Sequence, residues 1–140
     1  MAEADGSGRI NLDWGGEPER LFRFTYGQAR ELQRLTGRGV REIIDRLLDG
    51  TYFVDEPLTV LRLGLIGAEV KPVEASALVK AHGEGRPLQE SEYPALRVLF
   101  AFYEPAAGDA LGKTRAERMK PVMTPRGASA SPPSTGPVLQ

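Results

Sequence analysis

The sequence predicts an α+β domain that is mostly α: an N-terminal β-hairpin packed on a small bundle of about five helices, then a disordered C-terminal tail. Three observations carry this. Ile10, Leu12 and Trp14 alternate with Asn11 and Asp13, and Phe22 and Phe24 alternate with Leu21 and Arg23, which is the period of half-buried strands. From Tyr26 to Tyr103 the apolar residues recur instead at helical spacing. After Pro105 the chain turns to Ala, Gly, Pro, Ser and Thr, a composition that cannot bury enough surface to fold alone.

These shifts divide the 140 residues into a flexible leader over 1–8, a domain over 9–104 and a disordered basic tail over 105–140. A folded part of that size supports its own core without staples. Cysteine is absent, so disulfides and thiolate metal sites are excluded. The net charge of −1 argues against binding nucleic acid with the whole chain. No apolar run approaches the roughly 18 residues of a membrane span. The acidic N-terminus lacks the apolar stretch of a secretory signal.

Taken in order, Gly15-Gly16-Glu17-Pro18 is turn chemistry that closes the hairpin. A lone hairpin is marginal in water, so its aromatic face needs support, most simply from the first helix. Thr25 followed by Gln28 has the spacing of a capping box and starts that helix. Ala29, Leu32 and Leu35 give it one inward face, and Gly37 suits the left-handed residue that ends it. Gly37-Arg38-Gly39 reads as a tight turn rather than a phosphate nest, because no strand precedes it and no Lys-Ser/Thr follows. Val40, Ile43, Ile44, Leu47 and Leu48 form the stripe of a half-buried second helix ended by Gly50. Glu42 and Arg46 on its other face make a favourable pair four residues apart.

Asp55-Glu56-Pro57 opens the third helix with two acids and a first-turn proline. Leu58, Leu61 and Leu65 give it a face that Val60, Leu63 and Ile66 widen. A helix apolar most of the way round belongs at the centre, or under a partner chain. Gly64 and Gly67 mark a close backbone approach or simply its end. Lys71-Pro72-Val73-Glu74 opens a fourth helix with Val73, Ala77 and Leu78 inward, ending near His82-Gly83, with His82 on the surface. Glu90 to Tyr103 is the fifth, with Tyr93, Leu96, Leu99, Phe100 and Tyr103 apolar. Glu90 and Glu92 are dipole complements there, not an acid/base pair.

Motifs of catalysis are absent. There is no metal-ligand spacing, nucleophile elbow or phosphate loop, and the single histidine has no nucleophile beside it. The residues point to a non-enzymatic interaction domain without catalytic, cofactor or metal residues.

The hairpin, the run Phe22-Arg23-Phe24-Thr25-Tyr26-Gly27-Gln28-Ala29-Arg30-Glu31-Leu32-Gln33, the helix Val40 to Gly50 and the corner Leu63-Gly64-Leu65-Ile66-Gly67-Ala68 come in a distinctive order. In that order the chain resembles the gene transfer agent family of phage tail proteins, over about residues 9–103. The matching positions are Phe24, Tyr26, Gly27, Ala29, Leu32, Ile43, Leu47, Gly50, Leu61, Gly64, Leu65 and Gly67. Tyr26-Gly27 stands where Leu-Gly is more usual, and the basic tail is longer than a minimal member needs. The resemblance implies a cytoplasmic tail assembly chaperone for a long non-contractile tail of a bacteriophage or prophage. Its partners would be the tape measure protein and the major tail tube protein, with a homo-oligomer left open. Trp14, Phe22, Phe24, Leu58, Leu61, Leu65 and Ile66 are the expected partner-binding residues. Two other readings stay open: a tube or joining protein that remains in the tail, and a small helix-turn-helix regulator built on Thr25–Asp49. Mixed acids Glu42, Asp45 and Asp49 on the second helix weigh against the regulator.

Overall fold

Two short strands form an antiparallel pair: β1 (Arg9–Leu12) and β2 (Arg20–Arg23). The computed structural model describes residues 6–14 and 19–118. The Gly15–Pro18 turn, the first five residues and residues 119–140 lie outside them. Ile10 stands opposite Phe22, and both side chains are buried, so the predicted alternation sets the inward face. Pairing runs on beyond β2: the Phe24 N–H donates to the Gly8 carbonyl at 2.8 Å. Gly8 is buried, so the leader predicted to run to residue 8 gives way to ordered chain sooner.

The first helix, α1 (Tyr26–Thr36), starts as predicted. The Thr25 N–H and hydroxyl both donate to Gln28 Oε1, at 3.0 and 2.5 Å. Ala29 and Leu32 face inward, whereas Leu35 is exposed. α2 (Val40–Asp49) buries Val40, Ile43, Ile44 and Leu47, and leaves Leu48 outside. Gly37 and Gly50 end the two helices in the left-handed conformation, at φ 74° and 78°. Arg38 in the intervening turn is a clamp. It reaches Glu42 and Glu56 at 2.7 Å each and covers the Phe53 ring at 4.2 Å. Glu56, the second acid of the predicted helix start, is 2% exposed, and its Oε1 accepts the Phe53 N–H at 3.0 Å.

At the centre lies α3 (Asp55–Gly67), in contact with β2, α1, α4 and α5. Gly64 and Gly67 do mark close approach. A Cβ on Gly67 would lie 2.0 Å from the Arg23 carbonyl oxygen, so only glycine lets the helix end meet the strand. In α4 (Pro72–Val79), Leu78 packs half-buried against the core as expected, but Ala77 is exposed and Val73 is 83% exposed, and Ala75 and Val79 take the buried positions. Packing closely on α3 favours small Ala75, and Val73 sits in the solvated first turn beside Pro72. The helix then widens into a π turn, Lys80–Glu84. There His82, expected on the surface, is half-buried edge-on against Trp14 at 5.6 Å.

A 3-10 turn, Leu88–Ser91, precedes α5 (Glu92–Tyr103), which buries everything from Pro94 to Ala101, including Arg97. The chain does not lose structure at Pro105. It continues as α6 (Pro105–Arg118), packed on α5. Pro105 fits a first helical turn and Ala106, Ala107 and Ala110 favour helix, which outweighs the loop-like composition used to predict a tail from 105.

Candidate partner-binding groove

Six of the seven residues expected to bind partners are interior. Phe22, Phe24, Leu61 and Leu65 are fully covered, Trp14 and Leu58 nearly so, and only Ile66 is half-buried. They are brought together, hairpin against α3, but as the core of the domain. The reason is the position of α3. Its apolar circumference is enclosed by four elements of its own chain, so no partner is needed to cover it.

Open apolar surface lies elsewhere. Leu21, Leu35, Leu48, Phe53, Val54 and Val73 are exposed, and the Arg38 guanidinium lies over the Phe53 ring. One region is organised. The start of α1, the start of α2 and the end of α5 leave a groove of about 440 Å³ lined by Tyr26, Ala29, Arg30, Gln33, Val40, Phe102 and Tyr103. Ala29 and Val40 are buried, Phe102 is half-buried, and Tyr26 is 70% exposed.

Ring stacking joins this groove to the core. Tyr26 meets Phe102 edge-on at 5.1 Å, and Phe102 meets the sealed Phe24 at 5.7 Å. Two arginines flank the rings. Arg30 lies 5.9 Å from the Tyr26 ring centre and forms no ion pair among the described residues. Arg41 donates to the Tyr103 hydroxyl at 3.1 Å and to Asp45 Oδ1 at 3.0 Å. Those two acceptors hold the Arg41 guanidinium above its ordinary pKa, the Tyr103 hydroxyl contributing most.

Tyrosine and arginine, which line and flank this groove, are residue types enriched at protein interfaces. The arrangement suits a helical segment with apolar side chains for the rings and a carboxylate for Arg30. Of these residues the sequence places Ala29, Val40 and Tyr103 on inward faces; Ala29 and Val40 are buried, but Tyr103 is exposed. The signal for the groove is aromatic residues at helix ends: Tyr26 opening α1, and Phe102-Tyr103 closing α5.

Glu90 and Glu92, read as dipole complements, have specific partners. Glu90 pairs with Arg86 at 3.0 Å, and Glu92 accepts a hydrogen bond from the Tyr52 hydroxyl. Among the described residues, no helix is long and apolar enough to cross a membrane.

No curated protein and no solved structure matches the chain. The sequence pattern of one family, described as phage tail tube protein, GTA-gp10, matches residues 7–104. That span runs from the approach to β1 through the residue after α5, so it includes the hairpin, the sealed core and the whole groove. On this match, which covers well over half of its length, the chain belongs to that family of phage and gene transfer agent tail proteins.

Proposed function

We propose that this protein is a tail assembly chaperone, and that the Tyr26–Tyr103 groove takes helical segments of the tape measure protein while tail tube subunits are recruited. The observation that carries the reading is the groove itself: aromatic walls, a cation without a carboxylate partner among the described residues, and continuity with the core through Phe102. An amphipathic helix laid in such a groove buries its apolar face. One groove of this size binds weakly, but many copies along one long partner gain avidity. That suits a helper that must coat a filament and later leave. The action needs no bond-making step, so the proposed role is non-enzymatic, and it takes place in the cytoplasm of the producing cell.

Co-expression tests it. The wild-type chain should keep tape measure protein soluble, and Tyr26→Asp should not, while circular dichroism shows the variant folded. Tyr26 is exposed and opens α1, where an acid is compatible with the helix dipole. Unchanged solubility with folded Tyr26→Asp would rule the groove out.

The second reading is a protein that stays in the tail, and the family description, phage tail tube protein, favours it. Permanent ring contacts bury large apolar areas, and among the described residues most of the large apolar side chains are buried in the core. Mass spectrometry of purified particles separates the two, since a chaperone is absent from them and a tube protein abundant. The helix-turn-helix reading gains no support from family membership.

A further inference from the structure

α6 begins immediately after the matched span and is held unlike the other helices. Over residues 105–117 its only fully buried residues are Gly108 and Gly112, while Ala107 and Leu111 pack half-buried against the core, so its closest approach to α5 is made by backbone. It runs antiparallel to α5 in three steps. Gly108 lies on Phe100, where an added Cβ would stand 2.7 Å from the Phe100 Cβ. Gly112 lies on Arg97, where a Cβ would stand 2.3 Å from Nη1. Arg115 covers the Tyr93 ring at 4.2 Å.

Arg97 is 1% exposed. Its Nη1 donates to the Tyr93 hydroxyl at 2.9 Å and its Nη2 to Asp109 Oδ1 at 3.2 Å, while Nε has no hydrogen-bond partner among the described residues. A buried guanidinium strongly favours whatever brings it a carboxylate. The carboxylate comes from α6, the one element of this contact outside the family match. Two interior glycines lower the helix propensity of α6, and its joint to α5 is the single extended residue Glu104.

We propose that Tyr93, Arg97 and Phe100 form a helix-docking slot on α5, and that α6 fills it in cis as an exchangeable strap. Its occupant during assembly is a partner helix with the same signature: an aspartate directly after one small residue and three before the next, as in Gly108-Asp109-x-x-Gly112. The carboxylate answers Arg97, and the small residues admit the partner backbone over Phe100 and Arg97. The slot uses different residues from the Tyr26–Tyr103 groove, and its test needs no tape measure protein.

The test uses the full chain carrying Gly112→Leu, whose own strap cannot close over Arg97, and a fluorescent peptide of sequence 105–118 read by anisotropy. The peptide should bind Gly112→Leu about tenfold more tightly than the wild type, whose slot is filled. A peptide carrying Asp109→Ala should bind about tenfold more weakly than the unaltered one. No binding to folded Gly112→Leu, or equal binding by both peptides, overturns the slot. Should Gly112→Leu fail to fold, hydrogen exchange on the wild type decides: α6 amides should exchange about tenfold faster than those of α5. Equal protection of the two helices overturns the strap.

Discussion

Helix α3 and the groove at the ends of α1 and α5 are made of similar material and meet opposite fates. Leu58, Val60, Leu61, Leu63 and Leu65 are sealed, while Tyr26 and Tyr103 stand open to water. Hydrophobicity does not separate them, since a leucine run is at least as apolar as a tyrosine pair. Position does. α3 lies where β2, α1, α4 and α5 converge, and its leucine face meets them. The groove lies between α1, the start of α2 and the end of α5, where the rings are left open. In a domain this small the central helix is wrapped by its own chain, and apolar surface left for partners collects at helix ends.

Breaking the sealed side should have the largest effect. Leu61→Ala should cost about 2–5 kcal/mol in urea unfolding, because the cavity sits where neighbours on four sides resist collapse. Leu61→Asp and Leu65→Asp should abolish the fold, since each puts an unpaired carboxylate at a fully buried site. A soluble, folded Leu65→Asp would show that α3 is not enclosed as described.

The next effect concerns the clamp that holds the covering elements in place. Arg38 links the α1–α2 turn to the start of α3 through Glu56. The two groups approach to 2.7 Å, yet Nε–H does not point along that line, so the contact is an ion pair rather than a directed hydrogen bond. Arg38→Met should cost about 3–5 kcal/mol, because it strands the buried Glu56 carboxylate. Adding Glu56→Gln should recover much of the loss. A double-mutant cycle without coupling would show that the pair does not hold the turn to α3.

Much of the sealed side could be read from the chain. The strand alternation around Ile10 and Phe22, the α2 stripe and the Thr25–Gln28 box are local patterns with one stable outcome. What could not be read depended on distant residues. α4 turned Ala75 inward because α3 needed a close neighbour, and no periodicity distinguishes that from an inward Val73. Arg97 is buried because Tyr93 and Asp109 satisfy it, and Asp109 stood in a stretch whose composition argued for a loop. The groove joins Tyr26 to Tyr103, a pairing only the tertiary structure makes. His82 was likewise judged without Trp14, its ring partner from the far end of the domain.

On the open side, the same comparison predicts a separation of stability from binding. Tyr26→Ala loses an edge contact with Phe102 and should cost less than about 1 kcal/mol in unfolding. Binding to a tape measure helix should fall by about thirtyfold if Tyr26 is an anchor of that contact. Titration calorimetry beside a denaturation curve measures both. A large stability loss with unchanged binding would place Tyr26 on the sealed side after all.

The smallest effect tests the border between the two regions, where Tyr52 ties the α2–α3 connector to the start of α5. Its hydroxyl donates to the Glu92 carboxylate. Burial first, and then this hydrogen bond, push its pKa up from 10.0 to about 12. A folded-state pKa above the unfolded value means the contribution is complete below about pH 10 and is lost as pH rises through about 12. Deprotonation removes the donor and sets a phenolate against a carboxylate. Stability should therefore be flat in this respect from neutral pH to about 10 and should fall between 10 and 12. Tyr52→Phe should cost about 1 kcal/mol at neutral pH, the net worth of one hydrogen bond. It should also remove the share of the alkaline decline that belongs to this side chain. Urea midpoints at several pH values for both proteins measure the difference, and parallel curves above pH 10 would mean the connector is not tied to α5 through this hydroxyl.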